Sequence, residues 1–476
     1  MARCPLATEP AMPIDLSRRQ CLALAGALAT LPNAALTRPA WAGQSRPASS
    51  RAPVIQLPAL GLRERRLANG LQVVSAVDRS SSTVSVQVWY RVGGKDDPVG
   101  RSGFAHLFEH LMFKGTRHMP DEMFDRLTED VGGQNNAFTS EDVTAYQNEV
   151  PANHLQRLLW AEAERLAHLN VDQANFDSER QVVIEEFRER VLSDPYGRLF
   201  NALPGLIFDV HPYRRPVVGN IDELQAATLD DVRQFQRLFY RPDNAVLIVV
   251  GDFDPAQLDA SIDRYFGPLA RPDSAVPRGV TLREPALAAN RRAQVHGPKV
   301  PLPAVALLWR GPAASHPDAP ALKVAAALLA AGDSSRLNEA LVYRTQAAQA
   351  VGFAADLFAD AGMLAAYAIA ASGRPLPALA AALVEQIRRL AQGPLPAAEM
   401  DKVRARMLGA AVLARQTAQG KAEAIGLAVL LHGDARQADS ELARLQAVSA
   451  ADVQRVLKTH LLDAHRVTVH YTQQAA

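Results

Sequence analysis

The pentapeptide His106-Leu107-Phe108-Glu109-His110 sets two imidazoles and a carboxylate three and four residues apart, the spacing at which side chains become neighbours on one face of an α-helix. Around them Phe104, Ala105, Leu107, Phe108, Leu111, Met112 and Phe113 are all apolar, which predicts a helix buried on every side. A polar trio on such a helix lies in the interior, where each unpaired polar group costs about 2–7 kcal/mol. One divalent cation compensates all three. The alternative, two core histidines satisfied by backbone carbonyls, suits a lone histidine better than this trio.

Zinc in a hydrolytic site takes three protein ligands and keeps a fourth position for water, so the two histidines need a further partner. The segment Phe176 to Arg190 reads as a charged amphipathic helix carrying Glu179, Glu185 and Glu186. On a helical wheel Glu179 and Glu186 fall nearly on one line beside the apolar face of Phe176, Val183 and Phe187, whereas Glu185 falls on the opposite side near Glu189. Acids bordering a buried face need a counter-charge. Glu186 is therefore the expected third ligand and Glu179 a supporting acid. Without the histidine motif, the stretch would read equally well as a solvated charged helix.

Together these segments resemble the pitrilysin/insulinase family of inverted-motif zinc peptidases, and within it the branch of short bacterial peptidases and the mitochondrial processing peptidase beta subunit. The family signature is H-x-x-E-H followed, roughly seventy residues on, by a helix with two glutamates seven apart, the second binding zinc. The resemblance implies one Zn2+ on His106, His110 and Glu186, with Glu109 as the base and Glu179 as an accessory catalytic acid. Two more segments match. Gly132 to Thr139, continuing through Asp142, Thr144 and Tyr146, is similar to the family strand that borders the cleft; His211-Pro212-Tyr213, with Pro216 and Gly219, resembles a recurring loop.

Zinc held by two neutral imidazoles and a carboxylate lowers the pKa of bound water from about 16 toward about 7 and polarises a scissile carbonyl. Glu109, one turn from His106, can then take the proton and pass it to the leaving amine. This implies a zinc-dependent endopeptidase acting on peptides or unfolded segments in an enclosed cleft. An exposed sheet edge holds such a substrate by adding it as one more strand, and Asn135, Asn136, Ala137 and Phe138, running on to Thr139, are the candidate edge.

These residues must be positioned by a chain of 476 residues whose 51 basic and 50 acidic side chains nearly cancel. That balance carries no nucleic-acid footprint, and the length calls for more than one domain. Beyond the N-terminal segment no stretch is long and apolar enough to anchor the chain in a membrane. Ser17-Arg18-Arg19-Gln20-Cys21-Leu22, an apolar run through Leu31 and the small residues around Ala40-Trp41-Ala42 read as a signal peptide over 1–42. The twin-arginine route to the periplasm or beyond is expected, although Cys21 and Ala23 depart from its usual pattern and leave general secretion or an uncleaved tail as alternatives. Both cysteines, Cys4 and Cys21, precede the cleavage point, so the mature metal site must rely on His and Glu. Residues 43–60, rich in Pro, Ser and Ala, read as a flexible lead-in.

The chain also repeats itself. Leu224 to Val232 reappears 221 positions later as Leu445 to Val453, each copy opening a helix with a Thr or Ser cap followed by a β-run, Ala245 to Val250 and Val467 to Tyr471. The expected fold is α+β: two homologous domains, each a mostly antiparallel sheet packed with helices, together half of a clamshell. The catalytic domain is placed at 60–275 and the second at 290–472, joined through the Pro-rich Pro268 to Pro285 with 276–289 as linker. Where the first copy has its histidines the second has the apolar Ala321 to Leu328, so metal is expected only in the first.

Family members also carry, in the later half of a four-domain clamshell, an Arg and a Tyr seven residues apart that hold the substrate. Aligned on Ser334-Ser335-Arg336-Leu337, Val342 and Gln349 stand at those two positions, and Tyr343 and Arg344 are wrongly spaced to replace them. The resemblance therefore implies a heterodimer with a related exported subunit that supplies the pair. The competing reading is a non-catalytic scaffold of the same fold, like the core subunits of respiratory complexes; retention of all three ligands and the base weighs against it. Another kind of zinc hydrolase is disfavoured by the cleft-strand match.

Overall fold

The computed structural model describes residues 57–277, 280 and 282–474; the expected signal peptide over 1–42, its expected cleavage point and the lead-in up to residue 56 lie outside the described residues. The first sheet contains β1 (Arg63–Arg66), β2 (Gln72–Val77), β3 (Thr83–Tyr90), β4 (Gln134–Thr139), β5 (Thr144–Pro151) and β6 (Ala245–Gly251), in the order β1-β2-β6-β3-β5-β4. The second contains β7 (Arg291–Gly297), β8 (Ala304–Gly311), β9 (Ala348–Leu357), β10 (Gly362–Ala370) and β11 (Val467–Gln473), in the order β7-β11-β8-β10-β9. Laid side by side, β2-β6-β3-β5-β4 and β7-β11-β8-β10-β9 are one topology. Each has a single parallel pair, β2 with β6 and β7 with β11, among antiparallel neighbours.

The helices used below are α1 (Phe104–Leu111), α2 (Leu155–His168), α3 (Gln173–Phe187), α4 (Gly197–Ile207), α5 (Leu229–Phe239), α6 (Ala319–Ala330), α7 (Ala418–His432) and α8 (Ala450–Leu457). The sequence repeat has a physical counterpart in α5 and α8. Thr228 and Ser449 each accept the N–H three residues on, at 3.2 and 3.1 Å, and each aspartate at that position returns a carboxylate to the cap N–H at 3.0 Å. Such reciprocal boxes satisfy two otherwise orphaned donors at a helix start. In the second copy α6 follows β8 as α1 follows β3, without metal-binding side chains.

Central strands show why the halves form one body. In β6, Ala245, Leu247 and Val249 face the core under α1, α2, α3 and α5, while Val246, Ile248 and Val250 face a second apolar layer, so both faces are covered. That second layer comes from the other half: Ala418, Ala422, Ile425 and Val429 of α7. In return Leu199, Leu203 and Ile207 of α4, from the first half, cover Ala304, Ala306 and Leu308 of the second sheet. Each sheet borrows one covering helix from the other domain. Gly426 of α7 makes this approach possible, because a Cβ there would stand 2.3 Å from the Trp89 ring, whose Nε1 is tied to Gln87 at 2.9 Å. Gly426→Ala should therefore destabilise the protein by about 1–3 kcal/mol through overpacking, read as a lowered thermal midpoint; an unchanged midpoint would refute this close contact.

Among the described residues no helix is long and apolar enough to cross a membrane.

Candidate metal centre

Helix α1 starts at Gly103, whose φ of 90° lies in the left-handed region that favours glycine. Its cap comes from a distance: Asp97 accepts the N–H of Gly103 at 2.7 Å and of Ala105 at 2.9 Å. Burial pushes this carboxyl up to about 7 against the pull of those two donors. The helix buries Phe104, Ala105, Leu107, Phe108 and Leu111, which leaves His106, Glu109 and His110 on its remaining face. Opposite lies α3, capped by Asp172 and prolonged through Ser193 by a wider π-type turn. Phe176, Val183, Ile184 and Phe187 bury the apolar face of α3, and Glu179 and Glu186 border it. Glu185 points away and meets Gln181 at 2.7 Å.

The two helices bring His106, His110 and Glu186 together so that one ligand atom from each lies within 4.8 Å of the others. His106 Nε2 and His110 Nε2 stand 3.6 and 3.4 Å from Glu186 Oε2. Donors bound at about 2.0–2.2 Å to one tetrahedral ion stand about 3.4 Å apart, so the set fits zinc. Arg190, one turn further, holds the other oxygen of Glu186 at 2.7 Å. Burial alone would raise the Glu186 carboxyl, but His110, His106 and Arg190 bring it down to about 2. Burial and the neighbouring His110 push His106 down to about 4. Burial works against the charge on His110 as well, yet contact with Glu179 and Glu186 carries it up to about 9.

Glu179 does not face the ligand atoms. It lies 3.5 Å from the second nitrogen of His110 and is held at 2.8 Å by Lys114. A carboxylate behind a ligand histidine fixes the ring and strengthens it as a donor, so Glu179 has the geometry of a positioning residue. Glu179→Ala should weaken zinc binding about 10–100-fold, measured by competition with a chelator; unchanged affinity would contradict that placement.

Glu109 is half-buried between α1 and β4. Its Oε2 accepts the Thr139 hydroxyl at 2.5 Å, and burial raises its carboxyl above the ordinary value despite that bond. Strand β4 is the edge of its sheet, paired only with β5. Its side chains are largely committed: Asn135 donates to Asp125 and Thr128 at 3.2 and 2.7 Å, Ala137 packs on the core, and Phe138 meets Trp89 edge-on at 5.3 Å. Asn136 alternates onto the Phe138 side.

Lys114, Arg190, Thr139 and Asp97 were not assigned by spacing. Glu186 and Arg190 do stand at i,i+4, a legible ion-pair signal, whereas Thr139 and Asp97 reach the site only through tertiary contacts. In the second domain Val342 lies in an irregular helical turn, Asn338–Arg344, and Gln349 on the edge strand β9.

Two homologous α+β domains, with an inverted H-x-x-E-H helix facing a glutamate helix in the first alone, define the class of inverted-motif peptidases. Residues 72–220 match the family model of the Insulinase (Peptidase family M16) family, and residues 226–407 match that of the Peptidase M16 inactive domain. The chain belongs to the insulinase family of peptidases. It is 34% identical to the zinc protease PqqE of Helicobacter pylori over 343 residues, 71% of this chain and 76% of that protein. A solved protease from Helicobacter pylori shares 30% of its sequence with a TM-score of 0.82, covering 86% of this chain and 99% of that one. The periplasmic protease PqqL of Escherichia coli shares the fold at a TM-score of 0.69 and 21% identity, covering 88% of this chain and 48% of that one.

Proposed function

We propose that this chain is the catalytic half of an exported zinc-dependent endopeptidase. The observation that carries the reading is the spacing of the His106, His110 and Glu186 donor atoms, with the half-buried carboxylate of Glu109 one helical turn from His106. His106, His110 and Glu186 hold one zinc, Glu179 orients His110, and Lys114 holds Glu179. When bound, zinc polarises the scissile carbonyl and acidifies the attacking water. Glu109 takes the proton of that water and delivers it to the leaving amine, a role suited to a carboxyl raised above its ordinary value. Thr139 holds one oxygen of Glu109 and leaves the other to move the proton. The backbone of Asn135, Asn136, Ala137 and Phe138 receives the peptide as an added strand.

The second domain, at 290–472, is architectural and substrate-facing. With Val342 and Gln349 at the Arg and Tyr positions, the active unit is a heterodimer with a related subunit that carries the pair. In support, this chain's fold accounts for 48% of the Escherichia coli periplasmic protease, which leaves room there for a second such half. Export by the twin-arginine route, with cleavage after Ala42, delivers the mature chain to the periplasm. The scaffold reading leans on the match to an inactive domain, but that match spans 226–407, outside all the metal-site residues.

The test is cleavage of a peptide library by the purified chain, alone and with a co-expressed related subunit. Cleavage only in the mixture is expected; full activity of the chain alone would overturn the heterodimer, and none in either would overturn the peptidase.

A further inference from the structure

Two segments that stand out in the sequence have no place in the metal site: the turn Ser140 to Val143 joining β4 to β5, and His211-Pro212-Tyr213. They meet each other. Asp142 is 7% exposed; its Oδ1 accepts the Tyr213 hydroxyl at 2.5 Å and lies 2.8 Å from Lys95 Nζ. Its Oδ2 accepts the backbone N–H of Ala359 at 2.8 Å, in the turn between β9 and β10 of the second domain. In that turn the N–H of Asp360 donates to the Tyr213 hydroxyl at 3.1 Å, and the Asp360 carboxylate takes Lys95 at 2.9 Å. The edge hairpins of the two sheets are thus pinned together by hydrogen bonds to charged groups, the buried Asp142 at their centre, and such bonds run stronger than neutral ones.

The pinned turn also determines where β4 ends. Gly93 admits it, since a Cβ there would stand 2.5 Å from Ser140 O, and Gly94 N–H then reaches that oxygen at 3.0 Å. Ser140 N–H closes the turn on Val143 O at 2.8 Å. Beside it the Thr139 hydroxyl stands 3.4 Å from that of Thr144, which donates to Val92 O at 3.0 Å. Thr139 is left with one strong bond, to Glu109 Oε2.

We propose that Thr139 is the positioning residue of the base Glu109, and that its own place is held from the metal-free domain through Tyr213, Asp142 and the Phe358–Ala361 turn. This rests on the role given to Glu109 above, and it gives the second domain a part in the chemistry. Misplacing a reacting group by about 1 Å costs on the order of 100-fold in rate. Thr139→Val, which keeps the shape and removes the hydroxyl, should lower kcat about 100-fold with KM and zinc content unchanged, and Thr139→Ser should restore most of it. Tyr213→Phe should lower kcat about tenfold, one charge-assisted hydrogen bond's worth. In the metal-free protein the same variant should speed amide exchange at Ser140 to Thr144 about tenfold, a readout independent of activity.

Wild-type kcat in Thr139→Val, or a serine variant as slow as the valine one, would overturn the positioning role. Unchanged exchange in Tyr213→Phe would overturn the place given to Tyr213 in holding Thr139. A wild-type protein without peptidase activity both alone and with the related subunit would instead overturn the peptidase reading, and the positioning role with it.

Discussion

Glu109→Gln is expected to lower peptide hydrolysis by about 100- to 10,000-fold, the range that general acid–base groups contribute, while zinc stays at one per chain. The substitution keeps the length and the contact with Thr139 but removes the group able to take a proton. Glu109 is on α1 between His106 and His110, yet it is not among the three residues whose donor atoms converge. The effect should therefore fall on kcat, with KM and metal content near wild type. Loss of zinc in this variant would move Glu109 from base to ligand, and full activity would remove it from the chemistry altogether.

The largest expected effect on stability lies beneath the site. Glu162 and Arg165 of α2 form an ion pair at 2.7 Å with both side chains 1% exposed. Asn148 donates to the carboxylate at 2.6 Å, and the guanidinium lies 4.1 Å from the Phe124 ring centre and 4.5 Å from that of Tyr146. Removing one partner strands the other charge in the interior, so Arg165→Ala should destabilise the protein by about 3–5 kcal/mol. Removing both charges together, as Glu162→Leu with Arg165→Met, should recover most of that loss, because a buried pair gains little over apolar residues of similar volume. Denaturant unfolding of the wild type and the two variants decides it. A double variant as unstable as the single one would mean that the charges themselves hold the fold.

Much of the site was legible because it obeys helical periodicity. His106, Glu109 and His110 share a face by spacing alone, and the wheel that separated Glu186 from Glu185 rests on the same geometry that turns Glu185 outward to Gln181. The domain repeat was legible in the Thr228 and Ser449 caps, since a capping box is a local hydrogen-bond pattern. What could not be read was tertiary. The cap of α1 comes from Asp97, and no local rule points from that residue to Gly103. The exchange of α4 and α7 between the sheets leaves no periodic mark, because each helix shows only an apolar face and not what it covers. The bond from Thr139 to Glu109 joins residues thirty positions apart. Asn135 belonged to a recognisable strand, but only the packing tells that its side chain is already engaged by Asp125 and Thr128.

Everything proposed for this chain depends on one zinc held between α1 and α3. The most direct measurement is metal content per chain for the purified mature protein and its His106→Ala variant, each checked for a native unfolding transition. One zinc in the wild type and none in a folded His106→Ala protein is the predicted result. A wild type without zinc, or a variant that keeps it, would contradict the account.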